Sequence, residues 1–205
     1  MQYNILATAE TISETIKALG KNGVEAEVVE NQADALARIK ALIPVGVSVM
    51  NGSSVTLEQI GFVEYLKSGR HGWNNLHAAI VAEKDPAKQS QLRKQALLAD
   101  YYLGSVNALS ENGEFVIGSN TGSQLPHIVF SSKNLIFVAG AQKLVSSVDA
   151  GLKRIEEYVL PLENEKLQKK YGVDSMLSKI VIFKRENQHM GRAVRMIIVN
   201  KALGF

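Results

Sequence analysis

The sequence contains no cysteine. Disulfide bonds, thiol nucleophiles and iron–sulfur or zinc sites built on cysteine are therefore excluded for this chain. It also lacks an apolar run approaching the roughly 20 residues that a membrane-spanning helix needs. Residues 1–4 show no basic segment followed by an apolar block, so we expect no signal peptide. These absences predict a cytoplasmic protein.

Two nucleotide-binding signatures, GxxxxGK and GxGxxG, are missing as well. The 23 basic and 20 acidic residues give a net charge of +3 and are scattered, which argues against a nucleic-acid surface. What is present is an ordinary globular composition, with 46% hydrophobic and 21% charged residues. No repeat, low-complexity tract or long linker interrupts the chain, so we predict a single domain over residues 1–205.

Helical and strand patterns alternate along the first part of the chain. Residues 24–29 alternate apolar with charged positions, which predicts a half-exposed edge strand. Residues 45–50 are apolar on both faces except for Ser48, and residues 135–139 are apolar throughout. Both patterns are typical of buried strands covered by helices. We therefore predict a three-layer α/β/α fold with a mostly parallel central sheet, plus C-terminal β-strands.

Other elements are predicted from shorter signals. A helical stripe predicts a helix that ends near Gly104. Its members are Leu92, Ala96, Ala99 and Leu103. The Glu-Asn-Gly sequence of residues 111–113 predicts a hairpin turn. Ser146 opens another helix, which Pro161 is expected to end. Residues 186–191, between the two C-terminal strands, are interpreted as a hairpin loop or a flap.

Three polar loops follow predicted strands, where open α/β sheets bind their ligands. They are residues 51–54, 119–124 and 140–143. If the strands are neighbours, the loops converge and offer backbone N–H groups, hydroxyls and the Lys143 ammonium to an anion or a carbonyl group. The alternative is that the loops are tight turns and Lys143 is a solvated lysine. The candidate ligand-binding residues are Asn51, Gly52, Ser53, Ser54, Ser119, Asn120, Thr121, Gly122, Ser123 and Lys143.

Asp100 is a further candidate ligand-binding residue. It flanks the apolar stripe near the predicted helix end, where a negative charge opposes the helix dipole and needs another reason to be present. A polar flank is the alternative. His71 and His77 are six residues apart, a spacing that suits neither helical nor strand ligation, and no third ligand is evident. We therefore predict no metal site there, but a surface loop anchored by Trp73.

Several of these segments together resemble the lactate-utilisation (LUD) family. They are Asn51-Gly52-Ser53-Ser54, Ala99-Asp100-Tyr101, Ser105, Glu111-Asn112-Gly113, Ser119-Asn120-Thr121-Gly122-Ser123, Pro126-His127-Ile128 and the closing Gly191-Arg192, Val199 and Leu203-Gly204-Phe205. The resemblance covers most of the chain. It implies a fold akin to those of sugar-phosphate isomerases, CoA transferases and formyltetrahydrofolate cyclo-ligases.

The resemblance also makes Glu111 the candidate catalytic residue. In the related CoA transferases, a glutamate near a small-residue turn forms an acyl anhydride. Such chemistry needs a free carboxylate and donors that face the developing oxyanion. The composition of the turn alone explains Glu111 as part of a polar hairpin, so both interpretations stay open.

For function, the resemblance implies an accessory or subunit role in the oxidation of L-lactate to pyruvate with iron–sulfur partner proteins. The missing cysteines fit a chain that leaves electron transfer to those partners, and we expect no cofactor on the chain alone. The alternatives are a stand-alone CoA-transferase-like or cyclo-ligase-like enzyme, or a regulatory module for a small anion. The candidate partners are a small anionic or acyl ligand, iron–sulfur oxidoreductase subunits and further copies of this chain, with no nucleic acid and no membrane.

Overall fold

The computed structural model describes residues 3–205. Ten strands are present in this part of the chain. They are β1 (Glu25–Val29), β2 (Ser48–Asn51), β3 (Asn74–Asn75), β4 (Tyr101–Gly104), β5 (Ala108–Ser110), β6 (Phe115–Ser119), β7 (Asn134–Gly140), β8 (Leu144–Val145), β9 (Lys179–Phe183) and β10 (Ala193–Val199).

Eight α-helices connect these strands in residues 3–205. They are α1 (Ala9–Lys21), α2 (Gln32–Leu42), α3 (Val55–Gln59), α4 (Phe62–Lys67), α5 (Leu76–Ala82), α6 (Pro86–Gln95), α7 (Val148–Arg154) and α8 (Leu160–Tyr171). Short 3₁₀ turns occupy Ala96–Leu98, Ala141–Lys143 and Gln188–Met190, and π-helical turns occupy His127–Ser131 and Ile155–Val159. Within the described residues, no helix is both long and apolar enough to cross a bilayer.

Six strands form an all-parallel central sheet in the order β1–β10–β7–β4–β2–β3. The other four form a second sheet in the order β8–β5–β6–β9, where β6 is antiparallel to both neighbours. In the central sheet only β4 separates β2 from β7, so the two predicted buried strands are near neighbours. Because they are parallel, their C-terminal ends lie at the same end of the sheet. The prediction of a half-exposed edge strand near the N-terminus is likewise confirmed, by β1.

Apolar side chains cover both faces of the central sheet. Leu103 and Ile136 pack on one face with residues of α2, α3 and α4. Phe137 and Met196 pack on the other face with residues of α1 and the second sheet. Alternate residues of β7 thus serve two cores, which is why its sequence is apolar throughout. The predicted three-layer α/β/α fold is confirmed, with the second sheet inserted into one of the outer layers.

Residues 101–104 were predicted as the end of a helix, and this prediction is wrong. Helix α6 ends at Gln95, and after a 3₁₀ turn the chain enters β4. β4 is hydrogen-bonded to β2 on one side and to β7 on the other. The two tyrosines at its start favour extended backbone, and pairing on both sides outweighs the helical spacing of the apolar residues.

Pro161 does not end its helix, contrary to the prediction. The chain continues from α7 through a π-helical turn into α8, which ends at Tyr171 and is capped by Gly172 in a left-handed backbone conformation at φ 66°. Pro161 lies in the first turn of α8, two residues after the π-helical turn, where the hydrogen-bond register shifts and the missing proline N–H is tolerated. The helix is capped by Ser147 rather than Ser146, since the Ser147 hydroxyl accepts from the N–H of Ala150.

The two C-terminal strands lie in different sheets. β9 pairs with β6 in the second sheet. β10 instead lies between β1 and β7 inside the central sheet. Residues 186–191 therefore link two sheets and do not form a hairpin.

Candidate functional site

A cavity of about 310 Å³ opens where the central strands end. Loops that follow β2, β4, β6 and β7 all contribute lining residues, including Ser53, Ser105, Thr121 and Lys143. The π-helical turn between α7 and α8, the start of α8 and the chain just before β9 line it as well. The shared cleft predicted for the C-terminal ends of the two buried strands is therefore present, and Ser53 and Thr121 both line it.

The first loop begins at Gly52, directly after β2. A side chain here would overlap the hydroxyl of Tyr102, so only glycine lets the backbone pass this close to β4. Beneath the loop, the buried Asn51 donates from Nδ2 to the Gly52 carbonyl at 3.1 Å. The Ser54 hydroxyl accepts from the Leu57 N–H at 3.2 Å and caps α3. The loop is thus held rigidly against the end of the sheet.

The second loop is held by its own side chains. The Ser119 hydroxyl accepts from the Gly122 N–H at 2.9 Å and lies 3.0 Å from Gln124 Oε1. Gly122 has a φ of 82°, which favours glycine, and the Lys179 side chain lies over it. Thr121 Oγ1 and Ser123 Oγ are 3.1 Å apart. This network leaves the backbone of residues 120–121 at the cavity wall.

Lys143 is the most unusual residue of the cavity, because it is a lysine with only 3% of its surface exposed. Its Nζ donates to Thr56 Oγ1 at 3.0 Å, to Ser105 Oγ at 3.1 Å and to the Val106 carbonyl at 3.1 Å. All three acceptors are neutral, and no carboxylate of the described chain lies in salt-bridge range of Nζ. Burial, assisted by the nearby Arg154, lowers the pKa of Lys143 to about 7.

Arg154 supplies a second buried cation behind the cavity wall. Its Nη1 donates to the Asn107 carbonyl at 2.6 Å, while Nε and Nη2 have no hydrogen-bond partner among residues 3–205. Burial lowers the pKa of Arg154 to about 10. Among residues 3–205 neither Lys143 nor Arg154 has a carboxylate in salt-bridge range, so this part of the molecule has a positive potential that an anion would compensate.

The rest of the wall is apolar. Ile155, Val159 and Leu160 line it from the helical side, and Met176 and Leu177 line it from the chain that precedes β9. At the rim, Lys166 of α8 lies 3.5 Å from Glu58 of α3. The site can therefore hold a molecule that carries both a negative charge and apolar atoms.

Comparison with known proteins identifies the family. A family model of the LUD domain matches residues 12–199. The chain belongs to the LUD-domain family. This confirms the resemblance seen in the sequence. The LUD domain is also similar to the crystal structure of a DUF162 family protein from Deinococcus radiodurans, with a TM-score of 0.54 over 95% of this chain and 98% of that chain. At 12% identity, that likeness shows the fold alone. No curated protein matches the chain.

Most of the predicted ligand-binding residues of this LUD domain meet at the cavity. Those that line it are Gly52, Ser53, Ser54, Ser119, Asn120, Thr121, Ser123 and Lys143. Asn51 and Gly122 lie directly behind it, where they support the two loops. The geometry thus brings together ten residues from three separate stretches of the sequence.

Asp100 lies apart from this group, at the opposite end of β4. Its carboxylate accepts from the Ser48 N–H at 2.9 Å and from the Ser48 hydroxyl at 2.6 Å. These hydrogen bonds lower the pKa of Asp100. Asp100 was placed near the site because residues 101–104 were interpreted as a helix. As a strand, they carry it to the amino end of the sheet, where it ties β2 to β4.

Glu111 is also separated from the cavity. It is exposed in the turn between β5 and β6, and its side chain does not line the cavity. Its N–H donates to the Val145 carbonyl at 2.9 Å, which anchors the turn to β8. Gly113 of the same turn packs against the backbone of Ala18 in α1. The turn therefore holds the second sheet against α1, and we assign Glu111 no catalytic role in this cavity.

Thr56, Ser105 and Gly204 are site residues that the sequence reasoning missed. Thr56 and Ser105 accept hydrogen bonds from Lys143. Gly204 has a φ of 64°, and a Cβ there would overlap Thr56 Oγ1 and come within 3.1 Å of Lys143 Nζ. Ser105 follows β4 directly, so the strand interpretation of residues 101–104 would have marked it as a strand-end residue.

The Trp73 and His127 side chains are structural. Trp73 is buried and donates from Nε1 to the Ile43 carbonyl at 3.2 Å, and the ring of His71 stacks on it. His127 is buried, stacks on Tyr102 with ring centroids 4.6 Å apart, and has its Nδ1 2.9 Å from Ser132 Oγ. Burial lowers the pKa of His127 to about 4, so the imidazole is neutral at neutral pH.

Proposed function

We propose that this LUD domain is an accessory protein in the oxidation of L-lactate to pyruvate, and that its cavity binds an organic carboxylate. Family membership supports the role in lactate utilisation. The buried and uncompensated Lys143 supports the ligand class, and it is the observation on which this proposal mainly rests.

A carboxylate in the cavity would compensate the charge of Lys143. A buried ammonium is costly unless it is paired, and here the described residues supply three neutral hydrogen-bond acceptors and no carboxylate in salt-bridge range. A bound anion would raise the pKa of Lys143, so that binding takes up a proton near neutral pH. The hydroxyls and backbone N–H groups of the two loops would then fix the orientation of the carboxylate.

Iron–sulfur proteins are the partners we propose. The chain has no cysteine to hold an iron–sulfur cluster, so in the proposed accessory role the electrons from lactate pass to a separate iron–sulfur protein. The purified chain alone should therefore show no lactate-dependent reduction of a dye.

A carboxylate nucleophile of the CoA-transferase type has less support. Glu111 lies outside the cavity, and among the described residues Glu163 is the one acidic side chain in the lining. The alternative of a regulatory module also has a small anion bound near Lys143. It differs from the accessory role in that loss of the chain would not affect lactate oxidation.

Growth on L-lactate as the sole carbon source tests the proposal. Cells that lack the chain should grow slowly on L-lactate and normally on glucose, and the wild-type chain should restore growth. Lys143→Met should fail to restore it at equal protein level, while Lys153→Met, which changes an exposed lysine, should succeed. Normal growth on L-lactate without the chain, or dye reduction by the purified chain alone, would overturn the accessory role.

A further inference from the structure

The cavity is larger than lactate requires. A three-carbon hydroxy acid has six non-hydrogen atoms, which occupy at most about 180 Å³ if each takes the roughly 30 Å³ of a water molecule. The cavity measures about 310 Å³. Lactate bound near Lys143 would leave much of the remaining volume empty or filled with water.

That remaining volume is bounded by apolar side chains. Ile155 and Leu177 close over Gly118, where an added Cβ would come within 3.6 Å of Ile155 and 2.8 Å of Leu177. Val159 and Leu160 extend the same surface along the helix. Water forms no hydrogen bonds with such an apolar surface. A hydrocarbon chain bound against these side chains would bury their apolar surface, which is favourable.

Met176 shows that this apolar surface is incomplete. It lines the cavity, yet 66% of its surface is exposed. The chain around it is fixed to α8, since Asn164 Oδ1 accepts from the Ser175 N–H at 2.7 Å and Gln168 Nε2 donates to Asp174 at 2.8 Å. Met176 is thus held at the mouth of the cavity with most of its surface open to solvent, and a ligand that extends from the buried end would cover part of that surface.

We propose that the cavity binds an amphipathic carboxylic acid, with the carboxylate at Lys143 and an alkyl or acyl chain of several carbons along Ile155, Leu177 and Met176. This inference rests on the carboxylate site proposed above and makes its preferred ligand longer than lactate. The far end of the ligand's alkyl chain would reach solvent near the charged lining residues Glu163 and Lys166.

Calorimetric titration with lactate, acetate, butanoate, hexanoate and octanoate tests this inference. Burial of each methylene should tighten binding about fourfold until the wall is covered, at one ligand per chain. Hexan-1-ol, which lacks the carboxylate, should bind far more weakly than hexanoate. Lys143→Met should weaken binding of all the acids by a similar factor and leave the dependence on chain length intact.

Two methionine variants distinguish binding in the cavity from non-specific binding to exposed apolar surface. Met176→Ser should reduce the gain from the longer acids, while Met190→Ser should not, although both methionines are 66% exposed and only Met176 lines the cavity. If lactate binds but longer acids bind no more tightly, or if the two variants behave alike, this inference is overturned and the carboxylate site stands. If no acid binds, lactate included, both the inference and the carboxylate site fall.

Discussion

Replacement of Lys143 by methionine should change how the stability of the protein depends on pH. The pKa of Lys143 is about 7 in the folded chain and 10.5 in its ordinary environment. Between these values the unfolded chain binds one more proton than the folded chain, so the free energy of unfolding rises with pH. This is the reverse of a lysine in a salt bridge, whose contribution is lost as the pH rises.

The size of the effect follows from the same two values. Full linkage of one proton gives about 1.4 kcal/mol per pH unit. About half of the folded molecules still carry the proton at pH 7, so the rise between pH 7 and pH 9 should total about 2 kcal/mol. Below about pH 6 both states hold the proton, and Lys143 contributes no further slope.

Urea unfolding at pH 7, 8 and 9 measures this rise. The wild-type protein and the Lys153→Met control, which lacks an exposed lysine, should share the same slope. Lys143→Met should be nearly flat, because methionine fills similar space without a titrating group. A wild-type protein whose stability does not change from pH 7 to pH 9, or a variant with the wild-type slope, would refute the assignment of Lys143 as a buried and uncompensated amine.

Three further variants test other parts of the structure. Because burial lowers the pKa of His127 to about 4, stability should fall by about 2 kcal/mol from pH 7 to pH 5, and His127→Phe combined with Ser132→Ala should remove that fall in urea unfolding. Asp100→Asn should cost about 1 kcal/mol by weakening two hydrogen bonds from Ser48, yet leave hexanoate affinity unchanged in calorimetry; a loss of affinity would contradict its placement away from the cavity. Glu111→Gln should change stability by no more than about 0.5 kcal/mol and still support growth on L-lactate, and failure to grow would return it to the candidate catalytic residues.

The loops of the site could be predicted because each follows a strand with an unambiguous pattern. Residues 135–139 are apolar at every position, so a buried strand was the simplest interpretation, and the polar residues after it had to lie at the end of the sheet. The same reasoning located residues 51–54, although β2 begins at Ser48 and leaves Val45 79% exposed. The local sequence pattern was sufficient to predict a site loop wherever an apolar strand was followed directly by a polar loop.

The remaining errors arose where partners distant in sequence decide the structure. The helical spacing of the apolar residues outweighed the local preference of the two tyrosines of Tyr101–Gly104, whose strand conformation depends on pairing with β2 and β7. The misplacement of Asp100 and the omission of Ser105 both followed from that one segment. The role of Lys143 was similarly hidden, because a lysine is buried only when distant residues such as Thr56 enclose it.

The interior position of β10 constrains the order in which the chain can fold. β1 pairs with β10 and forms the edge of the central sheet, so β1 cannot join this sheet until β10 has paired with β7. These partners come from distant parts of the sequence, and closing such a long loop slows folding. Until then the edge of β7 is an open row of backbone donors and acceptors that a second chain can occupy. We therefore expect refolding yields to fall as protein concentration rises, and β1 to gain hydrogen-exchange protection after the other strands of the central sheet.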